Sequence, residues 1–350
     1  MKATKKLKFF KKFNKLRAGR AKELSSALFD DSFERWILIM KTAFIFSGQG
    51  AQYKGMGKEL YENFDCAKNI FDSADEALGF SIKDICFEED DRLNKTQYTQ
   101  PAILTMSIAA LKVLEEKGIK ADYVAGLSLG EYSAHVASGT FKFEDAVKLV
   151  RKRGRYMTEA VPEGEGAMYA IIGLDRETVL AACEEGSQFG YVSPANFNAP
   201  GQIVIAGEAL AAEKTAEILK EKGAKMAVKL NVSGPFHTAL LKPASEKLAK
   251  ELENIEINDM TIPVVTNVTA EEVTSKDEVC DILIKQVMSP VKWEDTINYL
   301  VSKGVDTFVE VGPGKALSGF VKRTVKGVKI LNVEDLKSLE KTLASLEVNE

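Results

Sequence analysis

Tyr123-Val124-Ala125-Gly126-Leu127-Ser128-Leu129-Gly130 is an apolar run that breaks at a Gly-x-Ser-x-Gly turn, and Glu131 to Ala137 continues with helical patterning. A strand, a turn with serine at its apex and a helix make a nucleophile elbow. The turn is so tight that the residues two before and two after the serine must be small. Glycine meets that need and tolerates a strained backbone. Such a turn lifts Ser128 Oγ clear of the sheet. It also sets the Leu129 N–H at a helix N-terminus, where positive partial charge can meet a developing oxyanion. A plain Gly–Ser turn has the same five letters. The strand before it and the helix after it favour the nucleophile.

Upstream, Thr42-Ala43-Phe44-Ile45-Phe46 is a short apolar strand, followed by the loop Ser47-Gly48-Gln49-Gly50-Ala51-Gln52 and a helix from about Gly57. The loop's third glycine is out of register for a dinucleotide fingerprint. By itself the segment reads as an ordinary strand-to-helix turn. Tyr98 to Leu114 reads as a long buried helix, opened by Thr99-Gln100-Pro101. Strand followed by helix, repeated, predicts an α/β fold with a mainly parallel sheet and a site at the carboxyl ends of its strands.

In the helix near Glu144 to Met157, Phe143, Ala146, Val147, Val150, Gly154 and Met157 form one apolar stripe, with Lys148, Arg151 and Arg155 opposite. Arg153 falls on the stripe. A guanidinium facing inward needs an anionic partner. That partner is either an internal Asp or Glu, or a substrate carboxylate clamped by two parallel hydrogen bonds.

From Ala167 to Val232 the order is strand, helix, two strands, helix, strand, with Asp175 capping the first helix and Asn198-Ala199-Pro200-Gly201 joining the middle strands. This βαββαβ order predicts a small ferredoxin-like domain inserted into a large α/β-hydrolase-like one. The expected division is 40–164 with 234–350 for the large, discontinuous domain and 165–233 for the small one. Residues 1–39 are expected to be a basic, poorly ordered extension. Beyond the insert, Thr261 to Asn267 reads as an edge strand because of Pro263. Val305 to Val311 reads as a buried strand ending in Gly312-Pro313-Gly314.

The chain has two histidines. His135 lies seven residues past Ser128, about 10 Å along the same helix, and cannot easily return to it. If Ser128 uses a histidine base, His237 in Gly234-Pro235-Phe236-His237 is the good candidate. So few histidines, and four widely spaced cysteines, argue against zinc chemistry and predict free thiols in a reducing compartment.

The 350 residues are 45% hydrophobic and 28% charged, as in a soluble globular protein, with no apolar run near the length of a membrane span. Residues 1–39 carry eleven Lys and Arg against four Asp and Glu, so the rest is the acidic part of a chain of net charge −4. An acidic body argues against nucleic-acid binding. The basic segment is compatible with a targeting or membrane-surface arm, a nucleic-acid-binding tail, or an upstream extension before a start at Met40. The abrupt onset of ordered patterning there favours the last.

Several blocks in order, Phe46-Ser47-Gly48-Gln49-Gly50-Ala51-Gln52, Gly126 to Tyr132, Arg153-Gly154-Arg155-Tyr156-Met157, Val192 to Asn198, Gly234-Pro235-Phe236-His237 and Val311-Gly312-Pro313-Gly314, resemble the malonyl-CoA:acyl-carrier-protein transacylases of bacterial type II fatty acid synthesis. The resemblance covers Met40 to about Leu346. It implies ping-pong transfer of malonyl from malonyl-CoA to the phosphopantetheine thiol of acyl carrier protein, with Ser128 as nucleophile and His237 as proton shuttle. It implies an oxyanion site at the backbone N–H groups of Gln49 and Leu129, and Arg153 on the malonyl carboxylate. It implies a histidine oriented by the backbone carbonyl at Gln286, so no triad aspartate is expected. Asn196 matches a family residue near the site. Phe236 is similar to the malonyl-selective form of its motif, where its bulk would crowd an α-methyl group, worth about 1–3 kcal/mol.

The family's usual histidine before the nucleophile is Leu127 here, and the basic N-terminus lies outside the family pattern. No cofactor, no metal, no nucleic-acid or membrane partner, a monomer and a cytoplasmic location are expected. A serine esterase or thioesterase shares the elbow, but a hydrolase of neutral acyl chains has no use for an inward arginine. A non-catalytic carrier-protein-binding module needs neither Ser128 nor His237.

Overall fold

The computed structural model describes residues 41–347 apart from Glu163 and Ser233. The expectation for residues 1–39 falls outside these residues. Among the described residues, nine strands form two sheets. The first contains β1 (Lys41–Phe46), β2 (Tyr123–Gly126), β7 (Val264–Val265), β8 (Val305–Val311) and β9 (Lys329–Val333) in the order β7-β2-β1-β8-β9. Every pairing in it is parallel. Helices cover its faces, so its central strands are largely apolar: Phe44, Ile45, Phe46, Val124, Ala125, Phe308 and Val309 are buried.

The second sheet contains β3 (Gly166–Ile172), β4 (Val192–Ala199), β5 (Gln202–Glu208) and β6 (Met226–Lys229), antiparallel in the order β4-β5-β3-β6. Between its strands run the helices Arg176–Gly186 and Ala209–Glu221, which pack on each other. Asp175 caps the first by accepting from the Thr178 N–H at 2.8 Å. Val179, Ala182, Ala212, Ala216 and Leu219 fill the space between helices and sheet. This sheet is also joined to the rest of the molecule. Met168, Ala195, Val204 and Ala206 belong to the same apolar cluster as Phe44, Phe46 and Leu129, and Phe197 N–H donates to the Val291 carbonyl at 2.8 Å.

The strand expected over 261–267 is shorter. Only Val264 and Val265 pair with β2, at the sheet's edge as Pro263 required. The chain then leaves the ladder. Thr266 and Asn267 are fully buried, and the Asn267 amide is drawn into hydrogen bonds with the elbow.

Three segments end close together because β1, β2 and β7 are parallel neighbours. Gln49 lies just past β1, Ser128 two residues past β2, and Asn267 two residues past β7. The carboxyl end of a parallel sheet is where such loops converge.

Candidate active site

Ser128 sits between β2 and the helix Leu129–Ala137 with φ 54° and ψ −99°. This is the left-handed side of the map, disfavoured for a residue with a Cβ. The strain is therefore on the serine and not on its glycines, neither of which has positive φ. The glycines are needed for space. A Cβ on Gly126 would lie 1.9 Å from the Gly130 carbonyl carbon, and one on Gly130 would lie 2.1 Å from the Phe46 carbonyl oxygen. Gly48 is equally confined, 2.5 Å from the Leu127 carbonyl oxygen by the same measure.

His237 follows β6 on the loop through Pro235, also at positive φ, 62°. Its Nε2 lies 2.7 Å from Ser128 Oγ and its Nδ1 lies 2.9 Å from the Gln286 backbone carbonyl. A carbonyl only accepts, so Nδ1 carries the proton and Nε2 is left as acceptor for the serine hydroxyl. The ring is buried. Burial, helped by the nearby Arg153 cation and opposed by the bond to Gln286, lowers its pKa to about 4. It is thus neutral near pH 7, the form a base requires.

Arg153 is 1% exposed, on the inward stripe of the helix Phe143–Glu159. The following residue makes its placement possible. A Cβ on Gly154 would lie 2.6 Å from the Thr96 carbonyl, so only glycine lets this helix come so close to Thr96–Glu116. The guanidinium donates from Nη1 to Gln100 Oε1 at 2.9 Å, and from Nη2 to Ser128 Oγ at 3.1 Å and Gln286 Oε1 at 2.9 Å. Its Nε has no partner among the described residues. It stands over the Tyr132 ring, 5.2 Å from the centroid. All its hydrogen-bond acceptors are neutral. The internal ion pair considered for it is absent among the described residues, and Glu131 acts on it only at longer range.

Gln286 does more than offer its carbonyl. Its Nε2 donates to the Ser128 carbonyl at 3.0 Å while its Oε1 accepts from Arg153. One buried residue thus links serine and arginine through its side-chain amide and histidine through its backbone carbonyl. Asn267, which sequence reasoning missed, accepts the Ser128 N–H on Oδ1 at 2.6 Å and donates from Nδ2 to the Gly126 carbonyl at 2.7 Å. Its own N–H donates to Glu131 Oε2 at 2.8 Å. Burial raises the Glu131 pKa to about 7, against the lowering influence of Gln286, the Asn267 N–H and Arg153. In the sequence Gln100 reads only as a helix-start residue. Asn267 and Gln286 share one signal in the sequence, a neutral amide where a strand or a helix ends.

The N–H groups of Leu129, at the first turn of its helix, and of Gln49 donate to no protein acceptor among the described residues. The Gln49 side chain donates to Thr96 Oγ1 at 3.1 Å, which holds its loop in place. Phe236 is buried beside His237. Asn196, on β4, is 8% exposed and makes no side-chain hydrogen bond to Ser128, His237 or Arg153. His135 is fully buried and neither ring nitrogen is bonded to any of the described residues, so it takes no part in this network. Among the described residues no group of His, Cys, Asp and Glu is arranged to hold a metal ion, and no helix is long and apolar enough to cross a membrane.

Residues 43–342 match the acyl transferase domain family. The chain is 49% identical over 309 residues to the malonyl CoA-acyl carrier protein transacylase of Bacillus subtilis (strain 168), covering 88% of this chain and 98% of that protein. It is 47% identical over 285 residues to the one of Escherichia coli (strain K12), covering 81% and 92%. The crystal structure of the enzyme of that name from Clostridium perfringens superposes with a TM-score of 0.86 at 51% identity, covering 88% of this chain and 97% of that one. A malonyl-transacylase in complex with its type II PKS acyl-carrier protein superposes with a TM-score of 0.85 at 44% identity, covering 87% and 99%. With its elbow and its unpaired inward arginine, the chain belongs to the acyl transferase domain family and, within it, to the malonyl CoA-acyl carrier protein transacylases.

Proposed function

We propose that this protein moves a malonyl group from malonyl-CoA to the phosphopantetheine thiol of acyl carrier protein through a malonyl-Ser128 intermediate, supplying fatty acid synthesis. The observation that carries this reading is the buried Arg153 guanidinium, 3.1 Å from Ser128 Oγ with neutral partners only. A buried cation of this kind is costly until an anion arrives. The malonyl carboxylate is such an anion, attached to the acyl group that the serine accepts.

Ser128 Oγ attacks the thioester carbonyl as His237 Nε2 takes its proton. The Gln286 carbonyl holds the ring in the required tautomer. The N–H groups of Gln49 and Leu129 receive the negative charge that develops on the carbonyl oxygen. Arg153 turns from its amide partners to the malonyl carboxylate, where the paired N–H groups fix the acyl chain. His237 returns the proton to the departing CoA sulfur. The carrier thiol then enters, gives its proton to His237 and takes the malonyl group, and His237 passes that proton to the departing Ser128 Oγ, restoring both residues. Phe236 beside His237 favours malonyl over methylmalonyl by crowding an α-methyl group. Asn196 borders the acyl site without bonding to the reacting groups.

The finer architecture belongs to the same reading. The parallel sheet and its elbow support an α/β-hydrolase-like large domain, 40–164 with 234–350. The order β4-β5-β3-β6 with two helices supports a ferredoxin-like insert at 165–233. A cytoplasmic monomer without a cofactor, a nucleic-acid partner or a membrane partner completes it.

Intact mass after mixing with malonyl-CoA tests the reading. The protein gains about 86 Da, the mass added when malonyl replaces the serine proton, and Ser128→Ala does not. A Ser128→Ala protein that still gains this mass would remove Ser128 from the role.

A further inference from the structure

Ser128 holds a conformation that a residue with a Cβ avoids, so something must hold it there. The helix that follows contributes bonds from the Gly130 and Glu131 N–H groups, at 2.9 and 3.2 Å. The Ser128 N–H belongs to neither helix nor ladder. Its acceptor is Asn267 Oδ1, and the same planar amide donates to the Gly126 carbonyl. One side chain therefore spans the turn from residue 126 to residue 128 and fixes the orientation of both peptides. Asn267 is itself fully constrained. It is 0% exposed, its N–H is held by Glu131 Oε2, and its carbonyl accepts the Lys292 N–H at 3.0 Å. Its place two residues past the edge strand β7 explains why that strand stops early.

We propose that Asn267 is a positioning residue for acyl transfer: its amide clamps the elbow so that Ser128 Oγ stays on His237 and the Leu129 N–H stays free for the reacting carbonyl. This rests on Ser128 being the acyl-accepting residue. Asn267 is fully buried with both amide atoms on backbone groups of the elbow, so its loss acts on the reactivity of the serine and not on recognition of malonyl. That separates it from Arg153, whose contact is with the carboxylate.

The test uses the full chain with Asn267→Ala, Asn267→Asp and Ser128→Ala. Thermal melting follows folding, and quenched-flow mass spectrometry follows acylation by malonyl-CoA and acetyl-CoA. In Asn267→Ala the acylation rate constant falls about 100-fold for both donors alike, the loss that a misplacement of about 1 Å brings, while half-saturation by malonyl-CoA moves by less than about threefold. Asn267→Asp keeps the shape and the acceptor for the Ser128 N–H but sets an oxygen against the Gly126 carbonyl. It loses about tenfold or more, again equally for both donors. A folded variant with a rate within about threefold of the unaltered protein, or a loss carried wholly by half-saturation, overturns the proposal. If Asn267→Ala does not fold, Asn267→Asp decides by the same measures. Failure of the underlying reading looks different: Ser128→Ala itself is then acylated.

Discussion

Arg153 Nη2 lies 3.1 Å from Ser128 Oγ in a site where every hydrogen-bond acceptor of the guanidinium is neutral. The hydroxyl proposed to accept the acyl group and the guanidinium proposed to hold its carboxylate are thus neighbours. Burial alone pushes the Arg153 pKa down, and the Tyr132 and Glu131 side chains push it back up. A ligand carboxylate would complete the charge balance.

Replacing Arg153 by Ala should separate the two acyl donors. Malonyl transfer is expected to fall by about 100- to 1,000-fold, the scale of a lost buried charged hydrogen-bond pair. Acetyl transfer, which presents no carboxylate, should change by less than about tenfold. Equal losses, measured by acylation kinetics with the two thioesters, would make the arginine a structural residue.

The His237 ring is neutral down to about pH 4 because burial, more than the Arg153 cation, disfavours its charged form. Acylation should therefore persist through pH 6, where a free imidazole is largely protonated, and decline as pH falls through about 4. Stopped-flow pH jumps, read before unfolding begins, check this. His237→Ala should lose about 100- to 10,000-fold at pH 7, as removal of a general base does. An acid limb near pH 6.5 in the unaltered protein would contradict the burial argument.

His135 offers a stability prediction free of the chemistry. Burial lowers its pKa to about 3, and it has no hydrogen-bond partner among the described residues. Its unfolded value is about 6.5. Between these two values the unfolded chain binds the proton and the native one does not, so the histidine costs stability as pH falls below about 6.5. His135→Leu should remove that penalty, gaining about 2 kcal/mol at pH 5 relative to its effect at pH 8. Urea midpoints at the two pH values measure the difference, and an equal effect at both would refute it.

Two glycines in helices should respond in opposite ways to alanine. At Gly130 the added carbon would meet the Phe46 carbonyl oxygen at 2.1 Å, against backbone that cannot move aside. Gly130→Ala should cost about 3 kcal/mol or more. At exposed Gly319, inside the helix Ala316–Thr324, nothing lies within 4 Å. Gly319→Ala should gain about 0.5–1 kcal/mol. Urea unfolding of both variants provides the comparison, and a Gly130→Ala protein as stable as the parent would show that the elbow can shift.

Read alone, the sequence already held the alternation of strand and helix, the βαββαβ order between residues 166 and 229, the serine at a tight turn, and the arginine on an apolar face. These are local matters, since periodicity and turn chemistry are written within a few residues of where they act. Ser128, His237 and Arg153 were legible because their side chains are chemically distinctive. Which groups partner which was set only by the folded chain. Arg153 could have met an internal acid, but it meets the Gln100 and Gln286 amides and the serine hydroxyl instead. Gln286 is 158 residues from the Ser128 carbonyl it donates to, and Asn267 is 139 residues from the Ser128 N–H it accepts. Neutral amides carry no charge or periodic signature, and these two act largely on backbone groups common to every residue. Their roles exist only after the parallel sheet has brought the ends of β1, β2 and β7 to the same place, because a hydrogen bond is made by distance and direction and not by sequence separation.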